Sequence, residues 1–193
     1  MLTLYDAARC PFAARVRIVL EEKDVEYETV EIDLDDRPAW FYDKDPAGRV
    51  PVLEEDGFVL PESRVIVEYL DERFPEPALL PADSADRALV RLAVERFDAI
   101  SGPYYDYRSD RTAGNEAALH EALGELDATL ARQPYVAGRE YSLADVMYVP
   151  WLLRAESMGV DVRRHAAIAD WLDRLGERPA VRSELDLLAE TVV

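Results

Sequence analysis

Three prolines fall within seven residues at Pro75-Glu76-Pro77-Ala78-Leu79-Leu80-Pro81, and the chain changes character across them. Proline cannot donate a backbone hydrogen bond and clashes inside a helix, so such a cluster ends whatever precedes it. Before this segment, strand-like and helix-like patterns alternate. After it, only helical periodicity remains. A chain of 193 residues is long enough to close two small cores. The expected organisation is a mixed α/β domain over 1–75, a linker over 76–83 and an all-helical domain over 84–193.

The first half opens with an apolar strand, Leu2-Thr3-Leu4-Tyr5. Phe12, Val16, Val19 and Leu20 then recur at i, i+4, i+7 and i+8, which predicts an amphipathic helix from Pro11 to about Lys23. From Tyr27 to Leu34 the pattern alternates, with Val30, Ile32 and Leu34 on one side, as a half-buried strand does. Strand, helix and strand in so short a span make a βαβ unit with parallel strands and a right-handed crossover. A short helix start follows at Arg37-Pro38-Ala39-Trp40-Phe41-Tyr42, then a turn at 45–49. Val50 to Glu54 reads as a strand, where Pro51 suggests an edge position or a cis peptide. Asp56-Gly57 is a hairpin turn, Phe58-Val59-Leu60 the return strand. Pro61-Glu62-Ser63 then starts a helix, with Ser63 as its cap and Ile66, Tyr69, Leu70 and Phe74 as its buried stripe. This order of elements is thioredoxin-like.

Beyond the linker, a long helix begins at Asp83 or Ser84, with Leu89, Leu92, Ala93, Phe97 and Ile100 as its apolar stripe. Ser101-Gly102-Pro103 should kink or end it. Tyr104, Tyr105 and Tyr107 follow beside Arg108, and a second helix spans about Asn115 to Arg132. Ser142 and Asp145 form a capping box flanked by Tyr141 and Val146 as a staple. The helix they open is apolar nearly all round and should be the central buried one, with Asp145 structural and not catalytic. Two more helices are expected, one near His165–Leu172 and one over 179–190.

Cys10, the only cysteine, directly precedes Pro11, and proline suits the first position of a helix. The thiol would sit at the N-cap, where free N–H groups and the helix dipole favour an anion. Thiolate is the nucleophilic form of cysteine. One cysteine excludes an internal disulfide framework and fits a reducing compartment. Lys and Arg number 22 against 40 Asp and Glu, a formal charge of −18. That balance argues against nucleic acid or an anionic membrane as partner. With no signal peptide pattern and no long apolar run, a cytoplasmic protein is expected. His120 and His165 lie far apart with no neighbour at ligand spacing, so no metal site is expected.

Cys10-Pro11-Phe12-Ala13, then Gly48-Arg49-Val50-Pro51-Val52-Leu53, then Glu62-Ser63 with Glu68-Tyr69-Leu70-Asp71, together resemble the cytosolic glutathione transferases. The Cys-Pro-Phe-Ala form is similar to the omega class, and the stretch from Glu62 to Pro81 also resembles stringent starvation protein A, a partner of RNA polymerase. The resemblance implies a thioredoxin-like domain followed by a helical one, glutathione as co-substrate, and a homodimer. It implies Cys10 as the catalytic thiol. Pro11, Phe12, Arg37, Val50, Pro51, Glu62 and Ser63 would bind glutathione: Val50 pairs with its cysteinyl backbone, Ser63 holds the γ-glutamyl carboxylate, Glu62 suits its ammonium, and Arg37 meets the glycine carboxylate. A small electrophile or disulfide is expected in a pocket between the domains, lined by Phe12, Tyr104, Tyr107 and Trp151. With Ala13 where redox motifs place a second cysteine, an adduct on Cys10 needs an external thiol for release. Thiol transfer, or reduction of a disulfide or of dehydroascorbate, is the expected activity. The alternatives are a non-catalytic interaction protein or a glutathione-dependent dehalogenase or isomerase.

Overall fold

The computed structural model describes residues 1–191; the last two residues of the expected 84–193 range lie outside them. The chain forms two compact units, one of residues Met1–Ala78 plus the C-terminal segment from Pro179, the other Leu79–Arg178.

In the first unit, β1 (Leu2–Asp6), α1 (Pro11–Glu22) and β2 (Glu28–Glu31) form the expected βαβ, with β1 and β2 parallel. β2 is shorter than the alternation suggested. It is an edge strand whose residues Glu28, Thr29 and Glu31 face water, so ladder pairing and not burial sets its ends. A 3-10 helix at Ala39–Asp43 follows. β3 (Val52–Glu55) and β4 (Phe58–Pro61) complete a sheet of order β2-β1-β3-β4. Asp56 and Gly57 close the hairpin with φ of 50° and 88°, a left-handed pair that Asp-Gly readily adopts. The Val50–Pro51 peptide is cis, as is Glu76–Pro77.

α2 (Ser63–Arg73) packs on α1, and Lys23, at the end of α1, reaches Asp71 Oδ1 and the Pro77 carbonyl, each at 2.5 Å. Ser63 is not the cap of α2. That position belongs to Glu62, whose φ is +73° and whose side chain caps nothing.

The second unit is helical: α3 (Ser84–Arg96), α4 (Asp98–Ser109), α5 (Ala113–Leu130), α6 (Leu143–Ser157) and α7 (Ala166–Gly176). The break falls at Phe97, earlier than expected, and Pro103 is carried inside α4. Leu89 and Leu92, expected in the buried stripe, are exposed, and Val90 is buried in their place; Phe97 and Ile100 are buried as expected. α6 is buried on every side from Leu143 to Ala155. Its capping box is present: Ser142 Oγ accepts from the Ala144 N–H, and Asp145 Oδ2 accepts from the Ser142 N–H at 3.0 Å. Asp145 Oδ1 also accepts from the Val136 N–H at 3.0 Å and Trp171 Nε1 at 2.8 Å, so one carboxylate ties a loop and α7 to α6.

The last helix, α8 (Pro179–Thr191), was expected with the other C-terminal helices but packs on α1. Arg17 explains the placement. Its guanidinium makes a two-pronged contact with Glu184, both arms at 2.9 Å, and a 2.6 Å contact with Asp6. Burial disfavours the charge, but Glu184 and Asp6 more than offset that and hold the Arg17 pKa above its ordinary value. Among the described residues, no helix is long and apolar enough to cross a membrane.

Candidate active site

Cys10 is the N-cap of α1, in extended conformation (φ −84°, ψ 118°), with Pro11 as the first helical residue. Its backbone N–H is held by the Ala7 carbonyl at 2.8 Å, and its side chain does not cap the helix. The sulfur instead faces the Val50 carbonyl oxygen at 3.7 Å. Cys10 is 8% exposed and packs with Tyr5, Ala7, Ala13, Ile32, Phe41, Val50 and Val52. A thiol reaches this place because β1 ends at Asp6, a short turn before α1 begins at Pro11.

Val50, whose carbonyl the thiol faces, also lines an open pocket of about 380 Å³, counting its mouth; Cys10 itself is not in the lining. Phe12, Val50, Pro51, Glu62 and Ser63 line it, five of the residues expected to bind glutathione. Pro11 is buried as the first residue of α1. Asp45, Arg49 and Pro61 also line the pocket and were not singled out from sequence. Asp45 is buried and its Oδ2 accepts from the Arg49 N–H at 2.7 Å, which shapes the loop leading to Val50. Arg49 pairs with Glu62 at 2.7 Å across the mouth. A signal for Arg49 was present, since it sits inside Gly48-Arg49-Val50-Pro51, but its partner becomes visible only in the fold.

Glu62 holds a backbone conformation rare for a non-glycine residue, at a cost of about 1–3 kcal/mol. It turns the chain from β4 directly into α2, which sets Ser63 at the first helical position with its free N–H. Ser63 lines the pocket, and its Oγ accepts from Arg15 Nη1 at 3.4 Å.

Arg37 is placed differently from expectation. Its Nε donates to the Gly48 carbonyl at 2.6 Å and its Nη1 to the Leu34 carbonyl, so it ties two loops together, and it does not line the pocket. Gly48 completes that knot. Its φ is +62°, and a Cβ there would meet the Tyr42 ring at 2.8 Å and Arg37 Cδ at 3.1 Å, so only glycine fits.

Trp151 is also corrected. The indole has no accessible surface and packs edge-on against Phe97, with ring centres 4.5 Å apart. It is core of the helical unit and no wall of an open pocket. Tyr104 and Tyr107 on α4 are likewise nearly buried. Burial pushes the Tyr104 phenol above its ordinary pKa, against the pull of Arg108 and Arg154.

The two histidines, far apart in sequence, meet in the fold: His120 Nδ1 and His165 Nε2 are 3.1 Å apart. Among the described residues, no group of three or more His, Cys, Asp or Glu is arranged to hold a metal ion.

Comparison with known proteins agrees with this geometry. Residues 4–78 match the N-terminal domain model of glutathione S-transferases, and residues 109–174 match the C-terminal domain model. The chain is 36% identical to the pyrimidodiazepine synthase of Drosophila melanogaster, over 94% of this chain and 79% of that one. It is 32% identical to the stringent starvation protein A homolog of Pasteurella multocida, over 98% and 92% of the two chains. Among solved structures, glutathione transferase Omega 1C from Trametes versicolor superposes with a TM-score of 0.84 at 26% identity, covering 97% of this chain and 92% of that one. That family uses glutathione as its co-substrate. The chain belongs to the glutathione S-transferase family.

Proposed function

We propose that the protein is a glutathione-dependent thiol transferase in which Cys10 is the nucleophile. The observation that carries this reading is the position of Cys10: the sulfur is at a helix N-cap, caps nothing, and faces the Val50 carbonyl beside the pocket. Helix N-termini favour the thiolate, the form that attacks disulfides. In the first step the Cys10 thiolate attacks the glutathione sulfur of a mixed disulfide, and the other thiolate leaves. In the second, a free glutathione thiolate attacks the Cys10–glutathione disulfide, releasing glutathione disulfide and restoring the Cys10 thiolate. Ala13 supplies no second thiol, so release depends on that external thiol.

Glutathione would bind with its cysteinyl backbone along Val50, its γ-glutamyl carboxylate at Ser63 and its ammonium shared with the Arg49–Glu62 pair. Arg37 gives its Nε and Nη1 donors to carbonyls and does not line the pocket, so the glycine carboxylate would be left largely to solvent. Phe12, at 36% exposure, offers an apolar face to the disulfide partner. The test is turnover of hydroxyethyl disulfide with glutathione, which Cys10→Ser should abolish while leaving the fold intact. Undiminished exchange in that variant would refute the mechanism.

A second reading is a binding role without catalysis, favoured by the near full-length match to the stringent starvation protein A homolog. Retention on immobilised glutathione separates the two, since a purely interacting protein has no need of that affinity.

A further inference from the structure

Arg15 lies one layer beneath the pocket. It is on α1, has no accessible surface, and does not line the pocket itself. Yet it touches two residues that do. Its Nη1 donates to Ser63 Oγ at 3.4 Å, and its guanidinium carbon lies 5.2 Å from the centre of the Phe12 ring.

The chemistry of this contact is one-directional. Guanidinium has only donors, so Ser63 Oγ must accept from it. A hydroxyl that accepts from one side retains its single proton for the other. Ser63 is therefore oriented as a donor into the pocket, alongside its free backbone N–H at the start of α2. A guanidinium donating into that oxygen polarises the O–H and strengthens the bond the hydroxyl can give, and an anion accepts such a bond best. An amide or alcohol would gain little from this arrangement. A carboxylate gains from both.

We infer that Arg15 is a positioning residue that makes Ser63 selective for a carboxylate, the α-carboxylate of the γ-glutamyl group. This rests on the reading of Ser63 as the holder of that group.

The test compares two ligands with three proteins by titration calorimetry. The ligands are glutathione and γ-aminobutyryl-cysteinyl-glycine, which lacks only the α-carboxylate; the proteins are wild type, Arg15→Lys and Arg15→Met. In the wild type, removal of the carboxylate should weaken binding by about 10-fold or more, the size expected for charge-assisted contacts. In Arg15→Met that ratio should fall toward one, because glutathione binding weakens while the analogue's changes less than about twofold. Arg15→Lys should restore part of the ratio, since it returns the charge. The ratio compares two ligands on the same folded protein, so a reduced folded fraction does not alter it, and Arg15→Lys carries the test if Arg15→Met does not fold. If Arg15→Met weakens both ligands alike, or Arg15→Lys keeps no more of the ratio than Arg15→Met, Arg15 is merely structural and the inference falls while glutathione binding stands. If the wild type binds neither ligand, the glutathione reading itself fails.

Discussion

The sulfur of Cys10 faces the carbonyl oxygen of Val50 at 3.7 Å. One residue comes from a helix start and the other from the residue before a cis-proline, 40 positions later in the chain. The thiol donates and the carbonyl accepts, so the start of α1 and the loop leading into β3 meet at the sulfur.

Ser63→Ala should weaken glutathione binding about 10-fold, raising KM with little change in kcat, because the hydroxyl is assigned to binding and not to sulfur exchange. Initial-rate kinetics with varied glutathione check this. An equal fall in kcat with KM unchanged would contradict the assignment.

Asp145 is fully buried, and burial raises its carboxyl to about 6 despite the bonds from Val136, Trp171 and Ser142. A folded pKa above the unfolded one means that the native state binds the proton more tightly. This group therefore adds stability as pH falls from about 6 toward 3.8, and withholds it above. The full effect is about 3 kcal/mol. In Asp145→Asn this contribution disappears, so urea midpoints measured from pH 4 to 7 should rise more steeply with pH than in the wild type.

His120 has the opposite sign. Burial first, then Arg164 and His165, lower its pKa below 6.5, against the weaker pull of Glu116 and Asp161. The unfolded chain then takes up a proton that the folded chain resists, so stability is lost as pH falls through 6.5. The contact with His165 also requires one ring nitrogen to accept, which two imidazolium rings cannot do. His120→Gln should have a flatter profile than the wild type between pH 7.5 and 5.5, measured by urea unfolding.

Leu89 and Leu92 are 53% and 43% exposed on one side of α3. Two neighbouring leucines on a solvent face suit a contact with a second copy of the chain. Light scattering should give a dimer mass for the wild type and a monomer mass for the double variant Leu89→Glu, Leu92→Glu. A monomeric wild type would contradict this.

Local rules carried much of the fold. The Asp-Gly hairpin, proline at the first position of α1 and the Ser142–Asp145 box each depend on a few adjacent residues, and each forms as expected. What the sequence could not show depends on distant partners. Arg17, Asp6 and Glu184 draw α8 onto α1 through charges 167 residues apart. His120 and His165 meet only because α5 and the start of α7 pack together. In the site, Cys10, Val50, Pro51, Glu62 and Ser63 were legible as motif residues. Arg15 and Asp45 were not, because a buried charge inside a helix or turn looks from sequence like any surface charge. Trp151 misled for the converse reason: a large aromatic on an apolar helix reads equally as pocket wall or as core.

In the proposed mechanism Cys10 carries glutathione as a covalent adduct. Intact-mass spectrometry after brief treatment with glutathione disulfide tests it directly. The wild type should gain the mass of one glutathionyl group, lose it on addition of free glutathione, and show no gain when Cys10 is replaced by alanine. A wild-type protein that binds glutathione yet never gains that mass would contradict the account.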